Sequence, residues 1–210
     1  MNYIDALNWR YATKKFHGDR IIEEDALERI LESGNLTATS LGLQAVTIIN
    51  VEDKAIRKDL VASSYNQSQV ADASNLLVIC IEENISEEYL NTYLSRISTI
   101  RNMEVENLEG FKKMIQGWLG GLSDVTNMQH WLAKQAYIVL GTLLTTCAIE
   151  KIDSCPMEGF NAEQYTDKLK LKEKGLVPVV VLPIGYRAMD DVNQHLPKVR
   201  KTAEEFVITI

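Results

Sequence analysis

Two apolar rhythms run along the chain, one with the 3.6-residue period of helices and one made of short unbroken runs. Residues 2–10 read as a short amphipathic helix entered at Asn2. Residues 22–33 read as a second, with Ala26, Leu27, Ile30 and Leu31 on one face and Gly34 as its stop. A polar loop at 35–44 feeds a strand at Val46–Val51, and a helix from 54 to about 63 follows. Residues 75–81 are of strand length and, after Asn75, an unbroken apolar run, as expected for a strand covered on both faces. From 86 to about 117 the pattern is helical but interrupted, with Leu90, Tyr93, Leu94, Ile97 and Ile100 as its stripe. Gly117-Trp118-Leu119-Gly120-Gly121 closes it, and the segment suits a movable lid.

The longest predicted helix covers 124–149, with Ser123 as its N-cap. Val125, Met128, Trp131, Leu132, Val139, Leu140, Leu143 and Leu144 make it apolar nearly all round. Such a helix must be covered on several sides, which points to a dimer. Residues 154–159 form a turn, 162–170 a short helix and 177–185 a second buried strand, whose Pro178 and Pro183 suggest ends and edges. Phe206-Val207-Ile208-Thr209-Ile210 is strand-forming but has no hairpin partner beside it. Helices mixed with buried strands make the class α/β or α+β, and no repeat or linker divides residues 1–210, so a single domain is expected.

Composition narrows the partners. With 46% hydrophobic and 24% charged residues, the chain has the make-up of a soluble globular protein. A net charge of -7 leaves no continuous basic face for nucleic acid. The N-terminus lacks a signal-peptide pattern and no apolar run reaches the roughly 18 residues of a membrane span, so no membrane partner and a cytoplasmic location are expected. Cys80, Cys147 and Cys155 are too few for a disulfide framework and read as reduced, buried thiols. His17, His130 and His195 show no metal-ligand spacing, so no metal is expected.

Candidate chemistry sits at the two ends of the chain. Arg10, Lys14 and Lys15 place three cations within six residues at the end of the first helix, and Lys198 and Arg200 wait near the C-terminus. Cations at a helix C-terminus can simply complement its dipole. They can also share an anion. A phosphate carries about -1.5 to -2 charges, which the planar fork of Arg and the point charge of Lys both suit.

The order of Arg10-x-x-x-Lys14-x-Phe16, the turn Pro156-Met157-Glu158-Gly159 and the late Leu196-Pro197-Lys198-Val199-Arg200 resembles the FMN-dependent nitroreductase family. It is most similar to the oxygen-insensitive NAD(P)H nitroreductase and dihydropteridine reductase branch, over nearly the whole chain. The resemblance implies an α+β nitroreductase-like fold, with a central, mainly antiparallel sheet flanked by helices and an intertwined homodimer that exchanges its C-terminal strand. It implies FMN as cofactor and NADH or NADPH as electron donor. Hydride would pass through flavin N5 to a nitroaromatic, quinone or pteridine-like small-molecule acceptor in a ping-pong cycle.

By the same resemblance Arg10, Lys198 and Arg200 hold the phosphate, Tyr11 gives a backbone amide, and Ala12 stands where the family usually has Ser. Lys14 lies by the pyrimidine edge, where a cation favours the reduced anion. Asn66 and Gln69 match the segment that bonds that edge and the ribityl chain, Gln69 replacing a frequent Lys. Pro156, Met157, Glu158 and Gly159 aim backbone N–H groups at N5 and O4, so Glu158 and Lys14 are the catalytic candidates. Thr39, Ser40 and Gly42 would come from the partner subunit. Leu41, Tyr65, Phe111 and Trp118 would line the acceptor side. No Gly-x-Gly-x-x-Gly follows a strand, so donor and acceptor would share one pocket in turn. Departures from the family pattern at Ala38, Gly42 and Ala45 leave a second reading open, a flavin-binding or sequestering protein with little turnover.

Overall fold

A computed structural model of the chain describes residues 2–122 and 124–210. Four strands, β1 (Val46–Val51), β2 (Asn75–Glu82), β3 (Asp153–Ser154) and β4 (Leu176–Gly185), form an antiparallel sheet in the order β1-β2-β4-β3. The apolar run of β2 is central, as its pattern predicts. The two-residue period of the strand sends Leu77, Ile79 and Ile81 to one core and Leu76, Val78 and Cys80 to another on the opposite face.

β4 corrects the reading of its prolines, since it is an inner strand. The pairing slips between Ile79 and Cys80, beside Pro178, which has no N–H to donate. Pro183 lies opposite Leu76, and its carbonyl accepts from the Cys155 amide at 3.0 Å. A strand residue's N–H and C=O point to the same side, so the N–H missing at Pro183 faces the two-residue β3. The ladder to β2 is untouched.

Nine helices surround the sheet among the described residues: α1 (Tyr3–Trp9), α2 (Glu24–Asn35), α3 (Lys54–Leu60), α4 (Gln69–Asp72), α5 (Glu87–Arg101), α6 (Glu109–Gly120), α7 (Val125–Ile149), α8 (Ala162–Lys168) and α9 (Ala203–Phe206). α7 packs against α1, α2 and all four strands, burying Leu132, Ala136, Val139, Leu140, Leu143 and Cys147. Its 25 residues are long and apolar enough to meet the length and composition of a membrane span, which corrects the expectation that no segment does. Here that apolarity serves the core on one side and leaves Val125, Tyr137, Ile138 and Ile149 exposed on the other. The expected cap, Ser123, lies outside the described residues. Asp124 caps α7 by accepting from the Asn127 amide at 2.8 Å.

Two glycine readings change. Gly34 is inside α2 rather than beyond it, and a Cβ there would lie 3.0 Å from Leu143 Cδ2 and 3.3 Å from Ile48 Cδ1. Close packing of α2 on α7 and β1 accounts for that glycine. Gly117 likewise lies inside α6: the interruption expected within 86–117 comes at Asn102, left-handed at φ 49, where α5 ends, and the break expected at 117–121 comes at its end, with α6 closing at Gly120 and Gly121 as its C-cap. The tail also differs from expectation. Phe206 closes α9, which carries a capping box between Thr202 and Glu205. Residues 207–210 form no strand within the chain, and Phe206, Val207, Ile208 and Ile210 are exposed.

Candidate active site

The basic cluster forms where the N-terminal segment passes the short strand β3 and the C-terminal segment folds back onto it at Arg10. Asn2 caps α1 by accepting from the Asp5 amide, and α1 stops at Arg10, whose backbone is extended. Residues 11–16 then run beside the sheet, with the Thr13 amide donating to the Ser154 carbonyl at 3.2 Å and Phe16 bridged to Arg187. Lys198 Nζ donates to the Arg10 carbonyl, which fastens the C-terminal segment to the N-terminal one.

The electrostatics of the cluster are one-sided. Burial, then Arg200, lowers the Arg10 guanidinium below its ordinary value. Burial, then Arg10, Arg200 and Arg187, lowers Lys198. Among the described residues no carboxylate pairs with Arg10, Lys198 or Arg200, and Arg10 Nη1 is buried without a hydrogen-bond partner. A buried, unsatisfied charged donor is costly, so this arrangement is built to receive an anion. Neighbouring cations are diverted elsewhere. Lys15 pairs with Asp190 at 2.8 Å, and Arg187 pairs with Asp153 while its guanidinium lies 4.4 Å from the Trp9 ring and 4.6 Å from the Tyr11 ring.

Asp191 ties the cluster together. This carboxylate is 1% exposed; Oδ2 accepts from the Tyr11 hydroxyl at 2.9 Å, the Lys14 amide at 2.7 Å and the Lys15 amide at 3.1 Å. Oδ1 accepts from the Asn193 amide at 3.0 Å and its side-chain Nδ2 at 3.2 Å. Burial alone would raise this acid, but the donors reverse the sign and hold it below the usual aspartate range. A depressed folded-state value means that the stabilisation is complete above the unfolded value and is lost as pH falls through the folded one.

The turn after β3 adjoins this cluster through Lys14, whose Nζ lies 3.7 Å from Cys155 Sγ. Burial pushes the Cys155 thiol up, with Lys14 opposing. Met157 exchanges both backbone bonds with Val181, at 2.9 and 3.0 Å, which pins the start of the turn to β4. The amides of Glu158 and Gly159 donate to no group among the described residues. They are free for a ligand. Gln67 Nε2 donates to the Gly159 carbonyl at 3.0 Å, so the 63–67 loop forms a second wall. Tyr65 and Asn66 in that loop hold left-handed φ values of 52 and 60, a strained conformation for residues other than glycine. The Glu158 carboxylate accepts from the Tyr137 hydroxyl at 2.6 Å, and burial, followed by Glu158, pushes that phenol up to about 12.

Arg10, Tyr11, Ala12, Lys14, Lys198 and Arg200 are thus brought together, with Pro156, Met157, Glu158 and Gly159 alongside. In the amide-bearing segment it is Gln67, rather than Asn66 or Gln69, that bonds the turn; Asn66 is exposed and Gln69 is buried at the start of α4. Thr39, Ser40, Leu41 and Gly42 fasten elsewhere. The Ser40 amide donates to Gln135 Oε1 at 2.9 Å and the Tyr93 hydroxyl to the Leu41 carbonyl at 3.0 Å. Gly42 has φ 63, and a Cβ there would meet the Tyr93 hydroxyl at 2.8 Å. Phe111 packs on Tyr93 and Trp118 on Trp131, all on α5, α6 and α7. A cavity of about 680 Å³ beside this loop, lined by Thr37, Thr39, Gln44 and Arg96 among others, includes no residue of the basic cluster. Asp191, Arg187, Gln67 and Tyr137 were not legible as site residues, because each acts through a partner distant in sequence.

The sheet order, the flanking helices and the cation cradle at β3 define a nitroreductase-like α+β protein. The chain belongs to the Nitroreductase family, whose profile matches residues 7–186. A candidate NAD(P)H nitroreductase of Staphylococcus aureus is 31% identical over 215 residues, covering 97% of this chain and 93% of its own. A nitroreductase-like protein of Streptococcus mutans superposes with a TM-score of 0.85 at 21% identity, over 99% of this chain and 98% of its own. A candidate nitroreductase of Exiguobacterium sibiricum, solved in complex with FMN, does so with a TM-score of 0.81 at 17% identity, over 100% and 98%. Membership of this family makes the chain an oxidoreductase.

Proposed function

We propose that the chain is an FMN-dependent NAD(P)H oxidoreductase of the nitroreductase type, acting on nitroaromatic, quinone or pteridine-like acceptors. The observation that carries this reading is the buried, partnerless Arg10 Nη1 beside Lys198 and Arg200, three cations with which no carboxylate pairs among the described residues. Its chemistry fits a phosphate, and relatives described as NAD(P)H nitroreductases, with a structural neighbour that holds FMN, point to which phosphate compound it is. When bound, FMN supplies a ring that takes hydride from a nicotinamide and yields it to an acceptor.

The chain does the rest by holding and polarising. Arg10, Lys198 and Arg200 grip the phosphate, Tyr11 adds a backbone amide, and Ala12 leaves that side without a hydroxyl. Lys14, held near Cys155, presents a positive charge where reduction builds negative charge. The free amides of Glu158 and Gly159 stabilise charge on the opposite edge. The Glu158 side chain is turned to Tyr137, so its part in catalysis is played by the backbone. Asn66, Gln69 and Gln67 serve the sugar-like chain and the ring edge, and Tyr65, 67% exposed beside Gly159, offers a stacking face to the acceptor.

A homodimer completes the site. Thr39, Ser40, Leu41 and Gly42, with Phe111 and Trp118, come from the partner subunit, because within one chain their anchors lie away from the cradle. The apolar outer face of α7 and the exposed tail supply the buried surface of that dimer. The protein works in the cytoplasm. Deleting residues 206–210 is expected to weaken the dimer and release flavin together, as read by sedimentation with detection at the flavin wavelength. A truncated chain that stays a flavin-loaded dimer would remove the tail from the account.

The function itself is tested by steady-state kinetics on the FMN-reconstituted dimer, varying NADH or NADPH against a nitroaromatic or a quinone. One pocket used in turn predicts parallel double-reciprocal lines. Intersecting lines would show that both substrates bind at once and would contradict the shared pocket.

A further inference from the structure

We infer that Asp191 is a positioning residue for phosphate recognition, an inference that rests on the FMN reading above. Two halves of the cradle come from opposite ends of the chain, and neither is held by regular secondary structure. Arg10 and Lys14 lie on the irregular stretch after α1, while Lys198 and Arg200 lie beyond a short turn at Val192–His195. The Asp191 carboxylate joins the two. Through Oδ2 it fixes the backbone at Lys14 and Lys15 and the ring of Tyr11; through Oδ1 it caps the turn that delivers Lys198 and Arg200. Among the described residues it makes an ion pair with no cation, although five donors meet it. Its charge is consumed in aligning backbone, so it orders the cations without neutralising them.

This role predicts an effect of a particular sign. A negative charge beside a phosphate site opposes anion binding through space, so a residue acting by charge alone would improve FMN affinity when neutralised. A positioning residue does the reverse. A purely structural residue would weaken FMN and riboflavin equally, since riboflavin shares every part of FMN except the phosphate.

The test measures dissociation constants for FMN and riboflavin on the full-length dimer carrying Asp191→Ala, Asp191→Asn or Arg200→Ala, with thermal unfolding as a check on folding. The ratio of riboflavin to FMN constants is expected to fall by about tenfold in Asp191→Ala, in line with loss of a correctly placed charge-assisted bond. Asp191→Asn should fall part of the way, because its one carbonyl can still accept from Lys14 while its NH2 group opposes the Asn193 amide. If Asp191→Ala does not fold, the isosteric Asp191→Asn gives the same readout. A ratio that rises, or that stays at the parent value in the folded variants, overturns the inference. The FMN reading fails separately: the parent itself would then show no preference for FMN over riboflavin, or Arg200→Ala would leave that preference unchanged.

Discussion

Arg10→Ala is expected to strip the protein of FMN, with the dissociation constant rising roughly ten-fold to a hundred-fold, the equivalent of about 1.5–3 kcal/mol for a charge-assisted hydrogen bond. Arg10 is set at the end of α1 with its Nη1 buried and partnerless, so its donor geometry exists before any ligand arrives. Arg200 sits on the exposed C-terminal segment and must be ordered on binding, so Arg200→Ala should cost less. Salt should weaken the parent in part, since the cradle opens to solvent. Equilibrium dialysis at low and high ionic strength reads all three. Retention of FMN by Arg10→Ala at the parent affinity would mean that the phosphate is held elsewhere.

Substitutions in the turn separate backbone from side-chain chemistry. Gly159→Val should displace or lose the flavin, and the cause is steric, because Gly159 does not adopt a left-handed φ. A Cβ there would lie 2.8 Å from Gln67 Nε2 and 3.7 Å from Tyr65 Cδ2, driving Gln67 off the Gly159 carbonyl at the wall of the site. Because the atom met is the far end of a flexible side chain, the cost is that of the displaced Gln67 bond, about 0.5–1.5 kcal/mol or roughly twofold to tenfold in binding, added to the bulk the valine projects at the ring. Glu158→Ala keeps the amide and removes only the bond to Tyr137, so yellow, reducible flavin and a modest change in rate are expected. Stopped-flow reduction by NADH or NADPH, with visible spectra, compares the two. The opposite order, with Glu158→Ala inactive and Gly159→Val merely weakened, would assign the chemistry to the carboxylate.

The elements that pattern alone made legible are those whose environment is local or repetitive. β2 was readable because an unbroken apolar run has few other homes than a covered strand, and α7 because its apolar positions leave no wide polar face. Boundaries failed where a glycine or proline had a tertiary reason. Gly34 makes room for Leu143, and Pro183 loses its N–H toward a strand that ends there. In the site, the cations were legible as charges, and their convergence came from the family resemblance. Asp191 was not, since nothing in Asp190-Asp191 tells which carboxylate turns inward to Tyr11 and which pairs with Lys15 at the surface.

The central claim is that this chain binds FMN and reduces it with a nicotinamide. Anaerobic titration of the FMN-reconstituted dimer with NADH and, separately, NADPH tests it most directly. Bleaching of the flavin band by at least one nucleotide, with recovery when a nitroaromatic or quinone is added, is the predicted result. A yellow protein that neither nucleotide bleaches would contradict it and show a flavin-sequestering protein in place of an enzyme.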